Sequence, residues 1–416
     1  MRLLVFPQYA YPWNHAVVNT VFETLLPARG HHVDMIRPMA NVTGITRVEA
    51  PWGGTVIGFP DEPLGGRWHN MRRSARLRRW LADALRMFAD RTFDAVLVRN
   101  DLVHASVAAH EARRRGVPFL YQLSSPDAEF TITRGRERGG LAGGYMRVRG
   151  YAGLAVRRRL TRRADAVLAI SDALRRHMVD VDGVSERRAF AFPMGVRAGA
   201  RPDDREIAAV RRELRLPEGR TMVFSGVLDP VREPAWMLDV FDQVRARIPD
   251  AAFLVVTYQS AEDERRRAFE SAARARGGNV CVVGPVPFHD VPRYLCAADV
   301  AVSPYRPMFE HAVVSPTKTL EAMAMGVPVV GNLEVVEHQL LLETVGGGLG
   351  VRYDVNDFAN AVVALMRDSE RRAAMGVAGG EWVRAHRSYD HLTDFLEQIL
   401  RSLGSPSLLR EVPHVP

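Results

Sequence analysis

The 416 residues exceed what one hydrophobic core organises and suit two or three domains. The 47% hydrophobic and 25% charged content is typical of a folded globular protein. No apolar run approaches the ~20 residues of a membrane-spanning helix. Pro7 interrupts the apolar start MRLLVF before it could act as a signal-peptide core. We therefore expect a cytoplasmic, multi-domain protein.

Cysteine content and charge distribution narrow the chemistry further. Cys281 and Cys296 neither make a disulfide framework nor suffice as the ligands of a zinc site. The net charge of +8 is uneven: residues 1–196 hold 30 arginines against 18 acidic residues, whereas residues 197–416 carry a balance of −4. A positive N-terminal half suggests an anionic partner there, and a membrane surface, a phosphorylated acceptor and nucleic acid are alternatives.

The N-terminal half alternates strand and helix patterns in chain order. The predicted strands are RLLVF, a second strand after Gly30, FDAVLV, PFLYQL and ADAVLAI. A helix is predicted over 102–115, where Asp101 suits the cap, and another follows Ser171, which can cap it. This alternation implies a parallel sheet covered by helices on both faces.

The alternation pauses at the polar stretch FPMGVRAGARPDD and then restarts, which places a domain boundary near 197–218. The restart contains the predicted strands TMVFSGVL, AAFLVVT, NVCVVGPV, ADVAVSP and VPVVGN. Helices are predicted between them over 234–247, 261–276, 290–297 and 316–326. Two similar halves predict a ligand site at the carboxyl ends of the strands.

The segment SPTKTLEAMAMGVPVV, residues 315–330, is the strongest candidate for binding a phosphate. A helix that begins directly after a strand and loop presents free N–H groups and the positive end of its dipole. Ser315 and Thr317 add hydroxyl donors, and Lys318, the only lysine in the chain, adds a compact cation. Glu321 lies three residues further on the same face and could accept both hydroxyls of a ribose. The alternative is that Lys318 is a solvated surface residue and Glu321 an ordinary helix former.

These motifs together resemble the retaining glycosyltransferases of family 4, which have the GT-B fold. The resemblance rests on SPTKTLEAMAMGVPVV, ADAVLAISDALRRHM, FPMGV, FSGVLDPVREP and GPVPFHDVPRYLCAADVAVSPY, and it spans nearly the whole chain. It implies two Rossmann-like doubly wound parallel-sheet domains facing across a cleft. Residues 1–196 would bind the acceptor and residues 197–387 the sugar nucleotide. A C-terminal helix over about 388–402 would cross back onto the first domain.

The resemblance also implies roles for individual residues of the C-terminal half. Gly226 matches the glycine of the diphosphate-binding loop, Arg232 the later residue of a basic pair, and Glu321 the ribose ligand. Val227 stands where the family usually has the earlier arginine, so Lys318 would supply the missing charge. Val313 stands where a glutamate usually lies near the sugar hydroxyls, and Glu310 would substitute for it. The implied donor site comprises Gly226, Arg232, Glu310, Ser315, Thr317, Lys318, Thr319 and Glu321.

On the N-terminal side the chain departs from the family pattern. QYAYPWNHAVVN replaces a Gly-rich loop, and SSPDAEF stands where the family has a histidine. Asn14 and His15 are candidate contacts to the acceptor or to the donor phosphate. Asn14 could equally be only a helix cap. The implied acceptor site comprises Asn14, His15, Arg99, Asn100, Ser124, Ser125 and Glu129. The implied catalytic residues are Arg232 and Lys318, which stabilise the leaving diphosphate, and Asp127, a modest base.

Two basic segments leave a membrane role open. Residues 67–88 form a basic amphipathic helix pattern, which predicts either contact with an anionic bilayer or packing against the protein's own sheet. Residues 134–163 hold ten arginines and several glycines, which suggests either a mobile basic flap over an acceptor or a flexible connection. A peripheral position at the inner membrane face is therefore an alternative to a purely cytoplasmic one.

The expected function is transfer of a sugar from a nucleoside-diphosphate sugar to an acceptor with retained configuration. The acceptor could be a glycan, a lipid-linked sugar or a specialised metabolite. No metal and no cofactor are expected, because no Asp-x-Asp pattern accompanies the phosphate motif. No nucleic acid partner is expected either, since a basic and aromatic recognition module is lacking. The alternatives are a sugar-nucleotide epimerase and a non-catalytic sugar-nucleotide-binding homologue.

Overall fold

The computed structural model describes residues 1–12, 15–62, 67–197, 199, 201–229, 232–403, 406–409 and 412. The chain divides into two compact units. The first contains Met1–Pro193 together with Tyr389–Pro416, and the second contains Met194–Ser388. Within the described residues, no helix combines the length and the hydropathy needed to cross a bilayer.

The first unit is built on a sheet in which eight described strands have the order β3-β4-β2-β1-β5-β6-β7-β8. The strands are β1 Arg2–Phe6, β2 His32–Met39, β3 Thr46–Glu49, β4 Thr55–Pro60, β5 Ala95–Arg99, β6 Phe119–Leu123, β7 Ala166–Ala169 and β8 Ala189–Ala191. All neighbours pair in parallel except β3 and β4. The central strands β1, β5 and β6 are apolar runs that are buried almost throughout, as a parallel sheet covered on both faces requires.

Helices connect and cover these strands. They are α1 Val18–Leu25, continued by Leu26–Ala28, α2 Arg67–Arg86, α3 Leu102–Arg115, α4 Asp127–Arg138, α5 Gly140–Thr161 and α6 Asp172–Asp180. The predicted caps are confirmed: Asp101 accepts hydrogen bonds from the N–H groups of Val103 and His104, and Ser171 accepts one from Leu174.

The second unit is a smaller, entirely parallel sheet with the strand order β11-β10-β9-β12-β13-β14 among its described residues. The strands are β9 Thr221–Ser225, β10 Ala252–Val256, β11 Asn279–Val283, β12 Val300–Ser303, β13 Val329–Asn332 and β14 Gly348–Val351. The helices are α7 Asp204–Glu213, α8 Pro234–Arg245, α9 Glu264–Arg276, α10 Val291–Cys296, α11 Phe309–Ala312, α12 Thr317–Ala324, α13 Val336–His338, continued by Gln339–Thr344, α14 Val355–Arg367 and α15 Ser369–His386. Two such α/β units are the fold class that the sequence predicts.

The C-terminal part of the chain returns to the first unit as α16 Tyr389–Ser402, and a short helix, α17 Pro406–Leu409, follows. α16 is held there by an ion pair of 2.6 Å between Arg29 and Asp394 and by a contact of 2.7 Å between His31 Nε2 and Glu397. Its apolar face is buried, with Leu392 and Leu396 fully covered. These contacts anchor the end of the chain against α1.

The amphipathic helix α2 packs against its own unit. Leu77, Leu81, Ala84 and Leu85 are all buried, and the stripe continues to the fully buried Phe88. α2 lies against α3 and β4. Of the two alternatives for this segment, the structure therefore supports packing of the apolar stripe against the protein's own unit.

Residues 134–163 form most of a helical hairpin, so the interpretation of this segment as a flexible connection is wrong, while a basic flap over an acceptor stays a prediction. α4 and α5 pack closely because their contact faces carry glycine. A Cβ atom at Gly143 would lie 2.3 Å from the carbonyl oxygen of Gly135, and one at Gly150 would lie 2.5 Å from Ile132 Cγ1. Glycine serves here for close approach of two helices rather than for chain flexibility.

Gly143→Ala is expected to lower the free energy of unfolding by about 1–3 kcal/mol, because the new methyl group must push α4 and α5 apart. The matched control is Gly144→Ala in the same helix, where a Cβ atom meets no heavy atom within 4 Å. That control should be neutral or stabilising by about 0.4–1 kcal/mol. Urea unfolding of both variants checks the prediction, and equal stabilities would contradict the close packing.

Candidate functional site

The loop that follows β9 holds Gly226 and Arg232 at the carboxyl edge of the second sheet. The N–H group of Gly226 donates to the carbonyl oxygen of Val256 at 2.9 Å, which ties the loop to β10. The backbone N–H of Arg232 donates to the carboxylate of Asp229 at 3.0 Å. The Arg232 guanidinium lies 4.6 Å from the centre of the Tyr305 ring. The loop therefore presents a half-buried cation against an aromatic face.

Helix α12 begins beside this edge without a side-chain cap. Its N-cap is Pro316, which offers no side-chain acceptor for the N–H groups of the first turn. Lys318 Nζ lies 3.0 Å from Glu321 Oε2, and the exposed fractions of the two side chains are 34% and 12%. The sequence prediction that Lys318 and Glu321 share one helix face is thus confirmed. The N–H groups of Thr317 and Thr319 donate to the carbonyl oxygens of Ser315 and Pro316 at 2.9 Å, so the backbone N–H of Lys318 and its accessible ammonium group are what the start of this helix offers an anion. Thr317, the first residue of α12, is partly exposed at the same end.

Two of the predicted donor contacts are buried inside the second unit instead. The Ser315 hydroxyl accepts a hydrogen bond from the N–H of Met194 at 3.1 Å and donates to Glu337 at 3.2 Å. Thr319 is fully buried, with its hydroxyl 2.9 Å from both Ser303 Oγ and His338 Nε2. Direct donor contacts by these two side chains were therefore wrong predictions, since both hydroxyls are used in fixing α12 onto the sheet.

Glu310 lies on the short helix α11 and has no hydrogen-bond partner in the described structure. Only 5% of the residue is exposed, and neither carboxylate oxygen meets a donor. Burial, with contributions from the nearby charges of Arg232 and Arg306, lowers the pKa of its neighbour His311, while the charge of Glu310 acts in the opposite direction. Arg232 and Glu310 are therefore brought close to one imidazole, and the buried acceptor oxygens of Glu310 lack a protein donor.

A pocket that sequence reasoning missed opens at the carboxyl ends of β9 and β10. Its volume is about 640 Å³. It is lined by Val227, Asp229, Tyr258, Gln259, Ser260, Glu262, Asp263 and Arg265. The Gln259 side chain accepts a hydrogen bond from the N–H of Leu228 at 2.7 Å, which joins this pocket to the loop of Gly226. The polar run TYQSAEDE directly after the apolar strand β10 was the signal that could have found it.

In the first unit, Asn100 and Ser124 meet at the carboxyl edge of the sheet. The N–H of Ser124 donates to Asn100 Oδ1 at 2.7 Å, and Asn100 Nδ2 donates to Gln8 at 2.7 Å. Asn100 has a φ of 56°, in the left-handed region, where asparagine is among the tolerated residues. The loops after β1, β5 and β6 are thereby joined at one place, as predicted for parallel strands.

Arg99 and His15 lie close together in this edge, whereas Asn14 falls outside the described residues. The His15 ring stacks on Tyr9 with 4.2 Å between the ring centres. Burial, with the charges of Arg99 and Arg37, lowers the pKa of His15 to about 3. Arg99 is only 2% exposed, and burial lowers its pKa as well. His15 is therefore neutral at physiological pH and stands beside a buried cation.

The segment after β6 contains two carboxylates, Asp127 and Glu129, that have different partners. The Ser125 hydroxyl donates to the Asp127 carboxylate. Burial, together with the Glu129 and Asp101 charges, raises the pKa of Asp127. Glu129, by contrast, is held by Arg157, which binds its carboxylate at 2.6 and 2.8 Å, and its contact with the acceptor stays a prediction. Although burial opposes ionisation, hydrogen bonds from His177 and Arg157 lower the pKa of Glu129 to about 2.

Most of the predicted side chains thus lie in two groups, one at the carboxyl edge of each sheet. The first group contains His15, Arg99, Asn100, Ser124, Ser125 and Asp127, and the second contains Gly226, Arg232, Glu310, Thr317, Lys318 and Glu321. Over the described part of the chain, no group of three or more His, Cys, Asp or Glu side chains is arranged to hold a metal ion.

Comparison with known families agrees with this arrangement of two α/β units. Residues 23–195 match the model described as a glycosyl transferase 4-like domain, and residues 219–368 match the model described as glycosyl transferases group 1. The chain therefore belongs to glycosyltransferase family 4, whose members have the GT-B fold. Neither model describes an epimerase, one of the alternatives that the sequence left open.

Curated relatives are similar at about the same level of identity. The GDP-mannose-dependent alpha-(1-6)-phosphatidylinositol monomannoside mannosyltransferase of Mycobacterium tuberculosis is 30% identical over 264 residues, covering 61% of this chain. The match spans 66% of that relative, slightly less than two thirds of its length. The alpha-maltose-1-phosphate synthase of Mycolicibacterium smegmatis is 29% identical over 86% of this chain and 89% of its own.

Solved structures confirm the fold over almost the entire chain. The sucrose-phosphate synthase of Thermosynechococcus elongatus superimposes with a TM-score of 0.74 at 18% identity, covering 97% of this chain and 98% of its own. The HepE protein of Anabaena in complex with UDP-glucose gives a TM-score of 0.69 at 16% identity, covering 97% and 100%. At this level of identity the likeness establishes the GT-B architecture alone.

Glu310→Gln is expected to raise Tm by about 2–4 °C, the shift that ~1 kcal/mol produces in a domain of this size, because the change removes a buried carboxylate without a donor. The matched control is Glu337→Gln, a buried glutamate that pairs with Arg387 at 2.9 Å. That control should lower Tm, since it leaves a buried guanidinium without its counter-charge. Thermal melting compares the two, and a Tm loss in Glu310→Gln would show that the protein itself satisfies Glu310.

Proposed function

We propose that the protein is a retaining glycosyltransferase that moves a hexosyl group from a nucleoside-diphosphate sugar to an acceptor hydroxyl. The observation that supports the donor side is the pair of Lys318 and Glu321 at the uncapped start of α12. This pair lies in the unit that matches glycosyl transferases group 1. The proposal assigns the donor to the second unit and the acceptor to the first.

Different residues of the donor site would bind different parts of the sugar nucleotide. The backbone N–H and the ammonium group of Lys318, together with Arg232, would hold the diphosphate, and the Thr317 hydroxyl would be a further donor. Gly226, which has no side chain, would let the loop approach the diphosphate closely. Glu321 would accept the ribose hydroxyls, and the free oxygens of Glu310 would accept hydroxyls of the sugar. The pocket beside Tyr258 and Gln259 would take the nucleobase, because it adjoins the Gly226 loop. Ser315 and Thr319 then act by fixing the orientation of α12.

The chemistry that this arrangement favours is electrostatic. The bond between the anomeric carbon and the diphosphate oxygen breaks, and the acceptor oxygen bonds to the same face of that carbon. The proton of the acceptor hydroxyl passes to the departing phosphate, or to Asp127, whose raised pKa suits a base. Lys318, Arg232 and the helix N–H groups would stabilise the negative charge that develops on the leaving group, and the proposal includes neither a metal nor a cofactor.

The names of the relatives suggest the first substrates to test. A mannosyltransferase that uses GDP-mannose and acts on a phosphatidylinositol mannoside is similar to this chain, as is a synthase of maltose 1-phosphate. GDP-mannose is therefore the first donor to try, with UDP-glucose second, and inositol-containing or phosphorylated sugars are the first acceptors. Formation of a glycoside of retained configuration from one of these pairs would establish the activity. Donor binding without transfer or hydrolysis would instead indicate a non-catalytic binding protein.

Lys318→Ala is expected to reduce kcat by about 100-fold or more, because it removes the only compact cation at the start of α12. Lys318→Arg keeps the charge but not its compact geometry, and should retain more activity than the alanine variant. Steady-state rates with a saturating donor measure both effects. Unchanged turnover in Lys318→Ala would rule out its role in stabilising the leaving diphosphate.

Glu321→Ala is expected to weaken binding of the free nucleoside diphosphate by about tenfold, the loss of one charge-assisted hydrogen-bond acceptor. Calorimetry with GDP and UDP measures the affinity directly. Glu381→Ala is the matched control, since Glu381 is an exposed glutamate of α15. An equal effect in both variants would contradict a ribose contact by Glu321.

The exposed face of α5 supports the further proposal of a peripheral membrane contact. Leu141 and Val148 are 97% and 69% exposed, and Val156 is 40% exposed. These positions recur at helical spacing, and exposed arginines such as Arg149 accompany them. α5 contains no acidic residue. An apolar stripe with a basic surround fits the interface of an anionic bilayer.

The double variant Leu141→Glu/Val148→Glu is expected to reduce binding to vesicles of phosphatidylglycerol and phosphatidylcholine by about tenfold or more, because it loses apolar insertion and adds repulsion. Val377→Glu is the control, since Val377 is 58% exposed on α15 in the other unit. Co-sedimentation at low and high salt measures binding. Equal binding by the wild type, the double variant and the control would contradict a membrane contact through α5.

A further inference from the structure

Arg99 is a buried cation without a protein counter-charge. It is the last residue of β5, and only 2% of the residue is exposed. Its Nε and Nη1 atoms are buried and meet no hydrogen-bond acceptor in the described structure. Burying an unpaired guanidinium costs folding free energy, and a bound partner of opposite charge would offset that cost.

The surroundings of Arg99 do not supply that partner. Besides burial, the groups that act on the pKa of Arg99 are the phenols of Tyr9 and Tyr389, and neither of these is a carboxylate. Nearby Arg37 shows the contrast, because its equally buried guanidinium donates to Glu23 at 2.7 Å and to two backbone carbonyl groups. Asp101, two residues beyond Arg99, uses its carboxylate to cap α3.

Two further polar atoms near Arg99 lack partners as well. Gln122 stands opposite Arg99 in the parallel register of β5 and β6, and its Oε1 atom is buried without a donor. His15 Nδ1 is likewise buried and unpartnered, and the charge of Arg99 acts on the same ring. At this carboxyl edge, three side chains of the described structure thus have a buried polar atom that lacks a hydrogen-bond partner: Arg99, Gln122 and His15. Such a concentration of unmet polar groups points to a bound ligand rather than to a structural network.

We propose that Arg99 binds a phosphate-type oxyanion carried by the acceptor, with Gln122 and His15 contacting the same group or the hydroxyls beside it. This inference rests on the proposed function and gives its acceptor a chemical class: a phosphomonoester or phosphodiester of a polyol or sugar. The two terminal nitrogens of a guanidinium can donate to two oxygens of one phosphate, which gives the acceptor one orientation. A neutral acceptor would leave the buried charge without a counter-ion.

The test uses the full-length protein and the variants Arg99→Met and Arg99→Lys. Without any anion, Arg99→Met should melt at the same temperature as the wild type or higher, since it removes an unpaired buried charge. The matched control is Arg115→Met, because the Arg115 side chain is only 12% exposed but pairs with Glu111. That control should melt lower. A Tm loss in Arg99→Met as large as that of the control would assign Arg99 to the structure and overturn the proposal.

Ligand binding separates the two possible sources of the phosphate. At constant ionic strength, inositol 1-phosphate should raise Tm in the wild type, and its apparent dissociation constant should rise about tenfold or more in Arg99→Met. The Lys318→Ala variant serves as background, because the start of α12 is the competing phosphate site. If GDP binding is unchanged in Arg99→Met while inositol 1-phosphate binding is lost, the acceptor is the source.

Two other outcomes contradict the proposal in different ways. Loss of GDP binding together with loss of inositol 1-phosphate binding in Arg99→Met would place the donor diphosphate at Arg99 and overturn the acceptor assignment. Equal binding of inositol 1-phosphate by the wild type and Arg99→Met would exclude the subsite altogether. Absence of binding of both GDP and UDP by the wild type would count against the proposed function instead, and the Arg99 result would stand apart from it.

Discussion

Each of the two parallel sheets leaves a charged side chain without a protein partner at its carboxyl edge. Arg99 in the first unit and Glu310 in the second are both buried, and both have polar atoms that meet no partner in the described structure. Elsewhere, buried charges such as Arg157 and Glu129 are paired at hydrogen-bond distance. Because an unpaired buried charge destabilises a free protein, these two positions are where a ligand contributes most to the stability of the complex.

The architecture determines why these charges fall where they do. In a parallel sheet every βα loop follows the carboxyl end of a strand, so residues distant in sequence meet at one edge. Asn100 and Ser124 meet in this way through the ends of β5 and β6. Ser315 and Thr319 are buried beneath this edge, and their hydrogen bonds with Glu337 and His338 fix the orientation of α12. Side chains on the surface of each edge are thus supported by a second set that is already satisfied.

The sequence was sufficient where the determining interactions are local. The caps Asp101 and Ser171 and the pair of Lys318 and Glu321 depend on spacings of three residues or fewer, and the structure has all of them. It was insufficient where the partner is remote. Arg157, 28 residues away, pairs with Glu129, and no local spacing indicates this pair. The glycines of α4 and α5 indicated flexibility because their close approach depends on the pairing of two helices.

The basic N-terminal half shows why net charge alone identifies no ligand. Many of its arginines are consumed internally: Arg37 by Glu23, Arg115 by Glu111 and Arg157 by Asp182. Among the described residues, the arginines that have no such internal partner are of two kinds. Arg147 and Arg149 of α5 are exposed and accompany exposed apolar side chains, which suits a diffuse anionic surface. Arg99 is desolvated and fixed, which suits a single oxyanion of defined geometry. The same residue type would therefore suit two kinds of ligand, and burial distinguishes them.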